Sequence, residues 1–350
     1  MRSDEASGEK CFSVGYSNSA NAWKRKQSAK SPRRGAPSSF TLHRHAIGKA
    51  LVRAPTAKTG PLVAEPITIC TMKHGATIFP TAYAMPPAEL GPALEERGFE
   101  SFWVAEHSHI PASRRSPWPG GPELPQMYYD TMDPFVVLAA AATATTTLKV
   151  ATGIALVVQR DPIHTAKEVA SLDVISGGRA VLGVGAGWNI EEMEDHGTDP
   201  TRRFGRMRES VEAMKEIWAN EIAEYQGDQV SFGPMYANPK PVQQPHPPIH
   251  VGGVYPGGLR RAVAYADGWM PIGGRGDDDL PAQLADADRQ CAEVGRDRSS
   301  FEVSIFGAPP TREGLDKLEA IGVDRAVFIL PPVGADELVP RLDRLADLMA

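Results

Sequence analysis

Cysteine is scarce in this 350-residue chain: Cys11, Cys70 and Cys291 are far apart and odd in number. That excludes a disulfide framework and suits a reducing compartment. Long apolar runs are missing too. No stretch of 18 or more apolar residues occurs, which excludes a membrane-spanning helix, and the start of the chain lacks the continuous apolar segment of a secretory signal. Neither a Cys-x-x-Cys nor a His-Glu-x-x-His pattern is present, so the sequence offers no metal site. Paired carboxylates of the kind a barrel hydrolase would use are absent as well. The expectation is a cytoplasmic, metal-free protein that works on a small molecule.

Charge is unevenly spread beneath a net of −6. Residues 1–65 hold 12 Lys/Arg against 4 Asp/Glu, which leaves the remainder strongly acidic. A basic arm can contact nucleic acid or an anionic membrane. This one is rich in Ser, Ala and Gly without apolar periodicity, which is how a disordered segment reads. Asp4, Glu5 and Glu9 come too early for a transit peptide. Residues 1–71 are therefore expected to be a disordered extension irrelevant to the chemistry, with neither nucleic acid nor membrane as partner. Met72 immediately precedes the first strand candidate, and a translation start there would leave a complete domain over 72–350.

From residue 76 the pattern becomes regular. Short Val- and Ile-rich runs at Ala76–Pro80, Ser101–Glu106, Lys149–Val157, Ala180–Gly185, Ile249–Gly252, Gly268–Ile272, Phe301–Phe306 and Arg325–Leu330 read as strands. Helical periodicity separates them, near 87–97, 133–146, 164–176, 201–219, 257–266, 279–294, 311–320 and 335–348. Asp133-Pro134 reads as an N-cap followed by proline, and Gly98, Gly295 and Gly322 sit where helices stop. Strands that are nearly all apolar belong in a parallel sheet covered on both faces. Eight such units predict a closed (β/α)8 barrel of the α/β class, with a doubly wound open sheet as the alternative. Two connections exceed simple loops. Residues 108–132 follow the second strand and are a candidate lid or substrate wall. Residues 220–247 follow the fourth helix and contain a hairpin candidate, Ala223–Gln226 with Gln229–Phe232.

Candidate chemistry gathers at strand C-terminal ends, where barrel active sites lie. Leu182-Gly-Val-Gly-Ala-Gly-Trp188 ends the fourth strand, and glycine there lets backbone N–H groups approach an anion. The spacing is G-x-G-x-G rather than a dinucleotide fingerprint, and no helix is expected directly after it. Gly252-Gly253 closes the next barrel strand, so a phosphate bridged by both clusters is one reading and tight rim turns the other. Gly153, in Ala151-Thr-Gly-Ile154, suggests close backbone approach to a ligand. Glu106 and His107 end the second strand and are the proton-transfer candidates; His107 with His109 lacks the further ligands of a metal site. Arg202 or Arg203 can pair with a phosphate or form a solvated helix start, whereas Arg179 reads as structural.

The ordered series Phe99-Glu-Ser-Phe-Trp-Val-Ala-Glu-His107, Ala151-Thr-Gly-Ile154, Arg160-Asp-Pro162, Ala166 to Arg179, Leu182 to Trp188, Pro241-Val-Gln-Gln-Pro-His-Pro-Pro248 and Gly252-Gly253 resembles the bacterial luciferase-like monooxygenase superfamily. More narrowly it resembles the branch using the deazaflavin coenzyme F420. The resemblance runs from residue 72 to about 345. It implies a barrel with the cofactor ring at its C-terminal mouth and a cis peptide at Gly153–Ile154 against one ring face. Gly185, Ala186, Gly187, Gly252 and Gly253 map to backbone donors for the cofactor phosphate, and His107 maps beside the reactive ring carbon. The sugar-phosphate dehydrogenase branch has a glutamate where this chain has Trp188, which argues against that activity and makes Trp188 an apolar pocket wall.

The residues and the resemblance together predict an oxidoreductase passing a hydride between F420 and a small, apolar or aromatic substrate, with His107 delivering the proton and Glu106 tuning it. An FMN-dependent monooxygenase is the nearest alternative, and a non-catalytic flavin-binding barrel is the alternative from another class. The superfamily resemblance also implies a homodimer.

Overall fold

The computed structural model describes residues 71–274 and 279–350. The basic arm over 1–70, and 275–278 of the loop at 274–280, lie outside the described residues. Eight parallel strands close a barrel: β1 Lys73–Ile78, β2 Ser101–Val104, β3 Lys149–Thr152, β4 Ala180–Val184, β7 Ile249–Gly252, β8 Gly268–Met270, β9 Glu302–Phe306 and β10 Arg325–Ile329. Strand β1 pairs with both β2 and β10, which shuts the ring. The (β/α)8 barrel expected from eight buried apolar runs is thus the observed fold, and the open-sheet alternative is not. Strands β5 Ile222–Gln226 and β6 Ser231–Tyr236 form the hairpin outside the barrel. Its second strand starts two residues later than the pattern suggested. The Glu209 carboxylate accepts from the amides of Gln229 and Val230, and so draws those residues into the turn.

The helices are α1 Pro87–Glu95, α2 Pro134–Ala144, α3 Pro162–Ser176, α4 Ile190–Asp195, α5 Arg203–Ala219, α6 Gly257–Tyr265, α7 Leu280–Glu293, α8 Arg312–Ala320 and α9 Ala335–Met349. Their starts follow from local chemistry. Asp133 accepts from the amides of Phe135 and Val136 ahead of Pro134, and Asp161 accepts from His164 ahead of Pro162, so each oxygen satisfies an otherwise orphaned first-turn N–H. Gly177, at φ 67°, ends α3 in the left-handed conformation. One helix was not expected. Asn189-Ile-Glu-Glu192 has the N-cap and N3 acid of a capping box, and α4 starts right behind the glycine loop.

The barrel interior is layered. Trp103, Ala151, Val181, Met270, Phe306 and Val327, one from each of six strands, form an apolar layer separate from the larger core between sheet and helices. Beneath it, at the N-terminal ends of the strands, Arg325 is 1% exposed and hydrogen bonds to Glu100, Glu302 and Ser304, with its guanidinium 5.6 Å from the Trp103 ring. Lys73, Lys149 and the buried His250 pair with the same two glutamates. This ionic floor closes the lower end and leaves the opposite mouth for chemistry.

Candidate active site

The mouth is built from the ends of β2, β3, β4 and β7. Strand β3 ends at Thr152, and the following Gly153–Ile154 peptide is cis, as the resemblance implied. A side chain on Gly153 would come within 2.8 Å of the Phe306 ring. Ile154 packs across the two glycine clusters: a Cβ on Gly185 would lie 2.4 Å from its Cδ1, and one on Gly252 3.1 Å from its Cγ2. The clusters are neighbours because β4 pairs with β7, Val184 opposite Val251.

Of the expected phosphate donors, only part of the first cluster has free amides, and Gly253 in the second gives its N–H to the Met270 carbonyl at 3.4 Å. Gly185 gives its N–H to the Ala155 carbonyl at 3.0 Å, so it contributes space rather than a donor. The N–H groups of Ala186, Gly187 and Trp188 have no acceptor among the described residues, a short row of free amides leading into α4. Gly187 (φ 72°) and Gly253 (φ 141°) take conformations that side chains rarely adopt. Arg261 lies beside Gly253, its Nη2 3.6 Å from where a Cβ there would sit. Arg261 and Arg203 stack on Phe204 with their Cζ atoms 3.9 and 4.6 Å from its ring centre. The Nε of each is buried without an acceptor. Burial and the charge of Arg203 among its neighbours lower the Arg261 pKa, as expected of a cation lacking a carboxylate partner. Free amides, guanidinium groups without a carboxylate partner and a cradle without side chains fit the phosphate of a flavin-type cofactor. Arg203 was among the expected phosphate contacts and Arg261 was missed, since nothing in the sequence links α5 to α6. Arg202 is exposed at the head of α5 instead. Arg179 is structural, tied to the carbonyls of Ala142, Thr145, Leu148 and Ser176.

His107 is 9% exposed, and its ring meets Trp188 edge-on at 5.7 Å and Tyr128 at 5.4 Å. Trp188 therefore packs directly against the histidine. The carboxylate on His107 is not Glu106. Nδ1 lies 2.8 Å from Oε2 of Glu192, a fully buried residue of α4, whose Oε1 accepts from the amide and hydroxyl of Ser108. Burial opposes ionisation of Glu192, but hydrogen bonds from His107 and Ser108 outweigh it and lower its pKa. An ionised carboxylate only accepts, so Nδ1 carries the proton and Nε2 is left for the cleft. Glu106 turns the other way, accepting from the Leu156 amide at 2.6 Å and from Arg160, and so braces the segment after Ile154. Its expected tuning of His107 is replaced by Glu192 because α4 reaches over the mouth. The capping-box pattern at 189–192 was the signal that could have found it. Arg160 also pairs with Asp133 and Glu168, and these carboxylates raise its pKa against the effect of burial. Among the described residues, no three His, Cys, Asp or Glu side chains are grouped to hold a metal ion.

Known proteins bear on this geometry. An uncharacterized protein of Mycobacterium tuberculosis is 38% identical over 283 residues, 80% of this chain and 99% of its own. A 5,10-methylenetetrahydromethanopterin reductase of Methanopyrus kandleri is 24% identical over 286 residues, 77% of this chain and 74% of its own. Among solved structures, the monooxygenase RslO1 from Streptomyces bottropensis superposes with a TM-score of 0.65 at 21% identity, covering 79% of this chain and 98% of that one. The coenzyme F420-dependent tetrahydromethanopterin reductase of Methanopyrus kandleri does so with 0.61 at 18% identity, covering 79% and 97%. At such identities the superpositions establish the fold alone. The luciferase-like monooxygenase family model matches residues 70–324, which include the glycine clusters and the histidine: this chain is an enzyme of that family.

Proposed function

We propose that the enzyme transfers a hydride between coenzyme F420 and a small organic substrate, with His107 handling the accompanying proton. The observation that carries the reading is the buried His107–Glu192 pair at the barrel mouth, in contact with Trp188 at the end of the first glycine cluster. When bound, a deazaflavin supplies a carbon centre that exchanges hydride rather than activating oxygen. The chain supplies everything else. The amides of Ala186, Gly187 and Trp188, with Arg203 and Arg261, would hold the phosphate, and Ile154 would lie against the ring. Trp188 and Tyr128 keep water from the histidine. As an alcohol carbon gives up its hydride, Nε2 of His107 takes the hydroxyl proton and a carbonyl forms; in reverse, Nε2 returns that proton. Glu192 holds the ring in the required tautomer and stabilises the imidazolium.

Titrating the purified protein with F420 and with FMN by fluorescence tests the cofactor. F420 is expected to bind at least tenfold more tightly, and preference for FMN would favour the monooxygenase reading instead. His107→Ala is expected to slow turnover by roughly a hundredfold while leaving F420 affinity within a few-fold. Unchanged turnover would remove the histidine from the mechanism.

A further inference from the structure

The long segment after β2 brings a cation to the mouth that no described residue neutralises. Arg114 is the one non-glycine residue among those described with a left-handed backbone, at φ 48°. Side chains other than glycine take this conformation where the surroundings impose it, often at ligand sites. Here the imposing group is Glu191. Its buried carboxylate accepts from Ser113 Oγ at 3.0 Å, from the Ser116 amide at 3.1 Å, and from the Arg115 amide and the Ser116 hydroxyl. The backbone on both sides of Arg114 is thereby wrapped around one acid. Arg115, next in sequence, pairs outward with Glu194 and Glu191. The Arg114 side chain has no ion pair or hydrogen bond among the described residues; its guanidinium carbon lies 5.8 Å from the centre of the Trp188 ring. Trp188 in turn meets His107. Trp188 thus contacts both the loop guanidinium and the proton-transfer histidine.

We propose that Arg114 anchors an oxyanion of the substrate, a carboxylate or a phosphate, beside Trp188. The substrate class is then a small alcohol or carbonyl compound bearing a negative charge, rather than a purely apolar one. The guanidinium fork matches such groups in two parallel hydrogen bonds. A backbone fixed before binding lets it do so without ordering a loop. The assignment rests on the hydride-transfer reading for its reacting group, but its test does not depend on the cofactor.

Binding of 4-(hydroxymethyl)benzoate, 4-(hydroxymethyl)phenyl phosphate and the uncharged 4-(hydroxymethyl)benzamide to the full chain is measured by calorimetry, with and without F420. At least one charged probe is expected to bind tenfold or more tightly than the amide. Arg114→Met and Arg114→Gly, the second of which suits the left-handed backbone, are both expected to abolish that preference, and Arg115→Met to keep it. Equal binding of all three probes by the unaltered chain overturns the proposal. So does a preference that survives Arg114→Gly, or one that Arg115→Met also abolishes. F420 affinity of Arg114→Met is expected within a few-fold of the unaltered chain; a tenfold loss would assign Arg114 to the cofactor. If the unaltered chain fails to bind F420 yet keeps the charge preference, the cofactor reading falls and the anchor stands.

Discussion

At the scale of single residues, the site turns on which carboxylate faces His107. Glu106 adjoins it in sequence just past the end of β2, but its carboxylate goes to Arg160 and the Leu156 amide. Glu192, 85 positions away, comes to Nδ1. Glu192→Gln keeps the shape but removes the charge that fixes the tautomer. Its kcat is expected to fall roughly tenfold or more with KM nearly unchanged, and the pH dependence of kcat should shift. Steady-state kinetics across pH checks this; an unmoved profile would reduce Glu192 to a packing residue. His107, the glycines and Trp188 were legible in the sequence because strand ends and glycine spacing are local features. Glu192 and Arg261 were not, since each acts across a gap that only the fold closes.

At the scale of elements, the segment 108–132 is fastened to α4 by Glu191, whose oxygens serve the loop's amides and hydroxyls. Burial opposes its ionisation, but hydrogen bonds led by the Ser116 hydroxyl bring its pKa down to about 2. A carboxylate whose folded pKa is depressed stabilises above its unfolded value of 4.5 and loses that contribution as pH falls toward 2. Glu191→Ala leaves the buried amide and hydroxyl of Ser116 without this acceptor, at about 1–3 kcal/mol each before relaxation. The variant is expected to melt several degrees lower and to be cut faster within 108–132 by limited proteolysis. Equal cleavage rates would show that the loop is held by other contacts. The loop's length and aromatic content marked it in the sequence as a lid or wall. Its fastening was hidden because α4 itself was read as loop: six residues are too few for helical periodicity to register.

At the scale of the whole molecule, the barrel separates a sealed ionic floor from a working mouth. Burial, then the charge of Arg325, holds the pKa of His250 down at about 4 from 6.5. Burial works against Glu100 as well, but Arg325 and Lys149 lower its pKa to about 2. Both folded values lie below the unfolded ones, so both contributions are intact at high pH and are lost on acidification. His250 fades from about pH 6.5 to 4, and Glu100 from about 4.5 to 2. Thermal unfolding followed from pH 8 to 3 is expected to show a falling Tm that begins near 6.5. In His250→Gln the drop between 6.5 and 4 should shrink by about one proton's uptake. A variant with the parent's pH dependence would place the acid sensitivity elsewhere.

The sequence by itself determined the barrel, the order of its strands and helices, and the glycine-rich rim, because alternating buried strands, caps and turn glycines are written in neighbouring residues. Tertiary structure alone decided that Glu192 serves His107, that Glu106 serves Arg160, that Arg203 and Arg261 meet on Phe204, and that Arg114 stands over Trp188. The physical reason is that a closed barrel brings strand ends and their loops to one rim, and pairwise contacts there depend on side-chain direction and loop path. Neither has a period that residues in sequence could carry.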